Sequence, residues 1–109
     1  LKAKDAVTGK PITEFSRLGQ VWVEGEPLVR HYATIESALA DAGRLEKSGK
    51  KLRVVYAHDR NTGLKLLASD AWFVKTKSEV ASFLLKADAE AYARKNAGTV
   101  LDYAGARAG

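Results

Sequence analysis

One plan is used twice in this chain, and it constrains the fold more than any other feature. Val29-Arg30-His31-Tyr32 leads into an alanine-rich helical stretch from Thr34 to Lys47, which stops at Ser48-Gly49 before the strand-like Leu52-Arg53-Val54-Val55-Tyr56. In the same way Val80 to Leu85 leads into a second alanine-rich stretch from Ala87 to Asn96, which stops at Ala97-Gly98 before Thr99 to Tyr103. Each copy reads strand, helix, glycine stop, strand. With the hairpin strands ahead of each, the pattern predicts an α+β fold of two similar ββαβ-type units, with small, mostly antiparallel sheets each packed by one helix. At 109 residues the chain reads as one domain over 1–109, its units spanning approximately 15–57 and 58–104.

Local chemistry sharpens the elements. Thr34 offers a hydroxyl to cap the first helix. Ile35, Ala38, Leu39, Ala42 and Leu45 then recur at helical spacing as one apolar stripe. From Gly19 to Glu24 the chain alternates, with Val21 and Val23 facing one way and Gln20, Trp22 and Glu24 the other. Asp59-Arg60-Asn61-Thr62-Gly63 is a hairpin turn. Leu64 to Leu67 and Ala71 to Val74 read as strand, with a bulge or bend at Ser69-Asp70. Val80 to Leu85 is almost wholly apolar, which predicts the centre of a sheet. In the second helix Ala89, Tyr92 and Ala93 make a narrow face of mostly small residues, and Gly98 stands where a left-handed cap is expected. Ala104 to Gly109 has little to bury and reads as a frayed tail. Leu1 to Arg17 is weakly patterned, with a turn at Thr8-Gly9-Lys10-Pro11 and an edge position at Pro11. Leu1 in place of Met fits a processed, trimmed or disordered N-terminus.

Composition removes several chemistries. The chain has no Cys and no Met, so disulfides, zinc–thiolate sites, iron–sulfur clusters, a cysteine nucleophile and the soft ligands that favour Cu(I) are all excluded. His31 and His58 are the only imidazoles. Each ends a predicted strand, and with Asp5 or Asp59 nearby they are the only candidates for a Cu(II) or Zn(II) site of nitrogen and oxygen ligands. His58-Asp59 is no catalytic dyad, because neighbours on a strand point to opposite faces. No serine lies in a nucleophile elbow and no glycine-rich phosphate loop occurs. The residues therefore predict no enzyme and no cofactor.

The net charge of +5 is a mild attraction for acidic partners. Lys47, Lys50, Lys51 and Arg53 form one basic cluster, and Lys75, Lys77 and Lys86 another. Neither is interleaved with aromatics as nucleic-acid platforms are, so a nucleic-acid-binding module is an alternative rather than the first reading, as is a weak nitrogen/oxygen metal carrier using His31 or His58. Trp22 and Trp72, on strands where a side chain must face away from a single core, are the first candidates for protein-partner contacts, with Lys50 and Lys51 as basic contacts.

The C-terminal half also carries a family resemblance. Ala71-Trp72-Phe73-Val74 precedes Phe83-Leu84-Leu85-Lys86-Ala87-Asp88-Ala89-Glu90-Ala91-Tyr92-Ala93, and Asn96-Ala97-Gly98-Thr99-Val100-Leu101-Asp102-Tyr103 follows. This resembles the NosL family, accessory lipoproteins of nitrous oxide reductase maturation. Gly25-Glu26-Pro27-Leu28-Val29-Arg30-His31-Tyr32 resembles that family's hairpin before its first helix. The resemblance implies two ββαβ-type units and a periplasmic or cell-envelope location. It also implies membrane association through a partner or a removed anchor. Family members hold Cu(I) near a Cys-x-x-Cys-Gly-Met-like segment, which aligns here with Asp5-Ala6-Val7-Thr8-Gly9-Lys10. Gly9 is kept, while Asp5, Thr8 and Lys10 stand where sulfur ligands would be. The family's later Pro-Met-Gly has no counterpart near Ser78-Glu79-Val80. The resemblance thus implies a divergent, non-catalytic accessory or structural subunit without the copper(I) site. Its expected partner is a protein of an envelope redox or metalloenzyme assembly, such as a metalloenzyme or cytochrome complex.

Overall fold

The computed structural model describes residues 3–108. Leu1 and Lys2, with the expected processed terminus, and Gly109, the last residue of the expected tail, lie outside them. The strands are β1 (Gly19–Val23), β2 (Arg30–Tyr32), β3 (Leu52–His58), β4 (Lys65–Leu67), β5 (Trp72–Lys75), β6 (Val80–Phe83) and β7 (Thr99–Leu101). The helices are α1 (Ile35–Lys47), α2 (Lys86–Asn96) and α3 (Tyr103–Ala108), with single 3-10 turns at Phe15–Arg17 and Ala68–Asp70.

Two antiparallel sheets result, one in the order β2-β1-β3-β4 and the other β6-β5-β7. In each copy the hairpin partner and the strand after the helix flank the same first strand, so β2-β1-β3 repeats as β6-β5-β7. The α+β class and the two small antiparallel sheets with their helices read from the sequence are present.

Helix α1 forms as its pattern demands. Thr34 Oγ1 accepts from Ser37 N, and Ile35, Ala38, Leu39, Ala42 and Leu45 are all buried. They meet Val21, Val23, Tyr32, Val55, Ala57 and Leu66 on one face of the four-stranded sheet. Approach is close at Gly19, where a Cβ would fall 2.6 Å from Ala38 Cβ. The same core takes in Ala71 and Phe73 from the second copy, with Leu101 and Tyr103 against it. A smaller core of Val74, Ala81, Phe83 and Ala89 lies under α2, with Trp72 and Tyr92 at its margin.

Four expectations change and one narrows. Val80 to Leu85 is not central: β6 is an edge strand ending at Phe83, and Leu84 and Leu85 are exposed. Its apolar character serves the two cores it adjoins rather than two covered faces. Of the bulge or bend expected at Ser69-Asp70, the structure has a bend and no bulge within one strand: the 3-10 turn there carries the chain from β4 in the first sheet to β5 in the second. The left-handed residue after α2 is Ala97 (φ 53°), not Gly98. Gly98 is required by contact, since a Cβ there would fall 2.5 Å from Val74 Cγ1 and 3.2 Å from Lys75 O. The last strand ends at Leu101, so Tyr103 opens a helix instead of closing a strand. Finally, residues 103–108 are no frayed tail: α3 sets Tyr103 and Ala106 on the main core, with the Tyr103 and Phe73 rings 6.4 Å apart.

Candidate functional site

The segment that aligns with the family's sulfur ligands is a closed turn. Asp5 is buried, and its Oδ1 accepts from the amides of Val7 (2.8 Å) and Thr8 (2.9 Å). Its Oδ2 accepts from Ala33 N at 2.7 Å, just ahead of α1. Gly9, at φ 73°, lets the turn return, with Gly9 N donating to Asp5 O and Asp5 N to Lys10 O. Thr8 Oγ1 accepts from Lys10 N. Burial acts to raise the Asp5 pKa, but the three amides outweigh it and hold the carboxyl below its usual range.

The turn occurs twice. Asp59 is buried, with Oδ2 accepting from Thr62 N and Thr62 Oγ1, and Oδ1 accepting from Leu84 N just ahead of α2. Gly63, at φ 76°, donates to Asp59 O, and Asp59 N donates to Leu64 O. Ala6 N donates to His31 O in the first copy, as Arg60 N does to Ser82 O in the second. The legible signal, missed in the sequence reading, is Asp-x-x-Thr-Gly at Asp5 and again at Asp59. These carboxylates join each turn to the entrance of the helix that follows, and their oxygens are occupied by amides.

The two histidines lie on the sheet face opposite α1. In an antiparallel ladder residues directly across share a face. Gln20 faces His31 on one side and Tyr56 on the other, Tyr56 faces Leu67, and His58 faces Lys65. Strand β1 separates β2 and β3, and His58 lies two residues beyond Tyr56, the residue level with His31, so the imidazoles start roughly 12 Å apart. The Gln20 amide and His31 Nδ1 are hydrogen-bonded at 2.8 Å. His58 Nδ1 donates to Leu18 O at 2.9 Å. Burial and the Lys65 ammonium lower the His31 pKa. For His58 burial comes first, the Leu18 carbonyl opposes it, Lys65 adds to it, and the net shift is also downward. Among the described residues no three His, Cys, Asp or Glu side chains gather as a metal cluster.

Trp22 lies on this same face, half-buried, with Nε1 donating to Glu26 O at 3.2 Å and the Arg53 guanidinium 4.8 Å over its ring. The register shift between Trp22 and Val23 leaves Arg53 as the extra residue on β3, which turns it toward Trp22. Lys65 Nζ sits 4.0 Å over Tyr56. Trp72 is elsewhere, on β5 of the second sheet, half-buried beneath Lys86 Nζ at 4.9 Å. Lys50 and Lys51 are exposed where α1 turns into β3, beside the Gly25 turn, where Glu24 N donates to Lys51 O. The structure therefore places Lys50 and Lys51 at the end of the sheet that carries Trp22, and Trp72 in the other sheet.

A third cluster has no counterpart in the sequence reading. Tyr32 OH donates to buried Asp41, which also pairs with Arg44, while Glu26 clamps Arg30 through two bonds of 2.9 and 2.7 Å. Burial and the Asp41 carboxylate push the Tyr32 phenol far above its usual value. Its proton is held at neutral pH, so the group is structural rather than an acid or base.

No protein-family model matches the chain, and no curated protein matches its sequence. A solved structure does match it: the copper chaperone NosL from Shewanella denitrificans. The two superpose with a TM-score of 0.73 at 22% identity, over 93% of this chain and 87% of the other. At that identity the likeness establishes a NosL-like fold.

Proposed function

We propose that this chain is a NosL-like accessory subunit that binds a protein partner in an envelope redox or metalloenzyme assembly and performs no catalysis. A NosL-like fold over nearly the whole chain, carried by a sequence without a single Cys or Met, is the observation that supports this reading. The turn aligned with the family's sulfur segment also favours a retained scaffold over a metal site, since the oxygens of Asp5 are already taken by backbone amides. Cu(I) prefers thiolate and thioether ligands, and this chain supplies none.

The test is affinity purification of the protein from its own cells, with mass spectrometry and metal analysis of what co-purifies. A stoichiometric metalloenzyme or cytochrome component, with no copper on the subunit itself, is the expected result. A monomer that recovers no partner under crosslinking overturns the accessory reading. Tight Cu(I) retention against a chelator overturns the loss of the site.

A further inference from the structure

We infer that the outer face of the four-stranded sheet is the docking surface, and that its occupant is an acidic segment of a protein partner with apolar side chains between its carboxylates. This deepens the accessory-subunit reading and rests on it. Helix α1 and the main core occupy the inner face through Val21, Val55, Ala57 and Leu66. On the outer face, the end near His58 adjoins the buried Leu18, which packs with Ala3 and Ile12. The remainder shows Trp22, His31, Arg53, Tyr56, Lys65 and Leu67, each half-buried or exposed.

Charge gives the occupant its sign. The four strands hold Arg30, Arg53, Lys65 and both histidines, and no Asp or Glu. Arg30 is neutralised by Glu26, whereas neither Arg53 nor Lys65 forms an ion pair among the described residues. These two free cations each lie over an aromatic ring, Arg53 on Trp22 and Lys65 on Tyr56. Each pair offers apolar area with a positive head beside it, which suits a carboxylate flanked by Leu or Phe. The same stacking covers ring faces that a nucleic acid would need for its bases, so protein is favoured over nucleic acid.

The test is a backbone-amide NMR titration of the whole chain with three probes: an acidic peptide interspersed with Leu and Phe, its Gln-for-Glu counterpart, and oligothymidylate. Saturable shifts at Gln20, Trp22, Arg53, Tyr56 and Lys65 with the acidic peptide alone are expected. Arg53→Glu with Lys65→Glu should weaken that binding about tenfold or more, and Arg94→Glu with Lys95→Glu, exposed on α2 away from this sheet, should leave it unchanged. No saturable binding, an equal response to the Gln peptide, shifts centred elsewhere, or an oligothymidylate response on this face each overturns the assignment. The native complex separates the two readings. If it survives Arg53→Glu with Lys65→Glu but is lost with Lys50→Glu and Lys51→Glu, this surface is wrong and the accessory role stands.

Discussion

Asp59 ties backbone from two places in the chain to one buried carboxylate, taking amides from Thr62 and from Leu84. Amides that lose an ionised carboxylate acceptor lose charge-assisted hydrogen bonds, which are stronger than neutral ones. Asp59→Ala should therefore lower unfolding stability by about 3 kcal/mol in urea titration, and Asp5→Ala should act in the same direction. Asp59→Asn should cost less, because one oxygen acceptor remains. The glycines separate contact from conformation equally well. A Cβ at Gly98 has backbone Lys75 O at 3.2 Å as well as Val74 Cγ1, so little can give way. Gly98→Ala should destabilise by about 2 kcal/mol. Gly43, in the middle of α1 with nothing within 4 Å of the added carbon, should respond to alanine with a gain of about 0.5–1 kcal/mol. Thermal and urea unfolding of the two variants check the opposite signs.

At the scale of elements, α3 is the least expected and the most exposed to test. Its sequence, Tyr-Ala-Gly-Ala-Arg-Ala, has no apolar stripe of its own. It is held by what lies beneath and beside it: Tyr103 near Phe73, Ala106 on the core, and Arg107 bonded to both Glu46 of α1 and the Tyr103 hydroxyl. A chain ending at Asp102 uncovers Phe73 and Leu101 and should lose about 3 kcal/mol, read as a fall in the urea midpoint. A merely frayed tail would leave that midpoint unchanged. Edge strand β6 shows the same logic from the other side, since an almost wholly apolar run needed only two adjoining cores and not a central place in the sheet.

For the whole molecule, the titratable groups set how stability depends on pH. Both histidines have folded pKa values below the ordinary imidazole value of 6.5. For a group so lowered, the unfolded chain takes up protons first as pH falls. The stabilisation is complete above 6.5 and is lost as pH drops through the folded values. Asp5, also lowered, adds a second loss in more acid solution, beginning below its ordinary 3.8. The urea midpoint should fall between pH 7.5 and pH 5, and a His31→Gln, His58→Gln variant should flatten that fall. A midpoint that rises on acidification would contradict both environments.

Much of this molecule was legible in the chain itself. Periodicity specified α1 and its buried stripe, because helix geometry places Ile35, Ala38, Leu39, Ala42 and Leu45 on one side whatever lies opposite. The duplicated strand–helix–strand order announced two small antiparallel sheets with their helices, and the repeated Asp-x-x-Thr-Gly announced two equivalent turns, although that motif is plain only once its hydrogen bonds are seen. The absence of Cys and Met removed sulfur chemistry without reference to any fold. Tertiary structure alone decided which strands are edges, that β4 joins the first sheet while β5 begins the second, and that Tyr103 opens a helix. It alone set His31 and His58 on one face with β1 between them, and laid Arg53 and Lys65 over Trp22 and Tyr56. Local pattern reports which side of an element avoids water. Which surface covers that side depends on contacts between residues far apart in the chain, and those exist only once both sheets have closed on their cores.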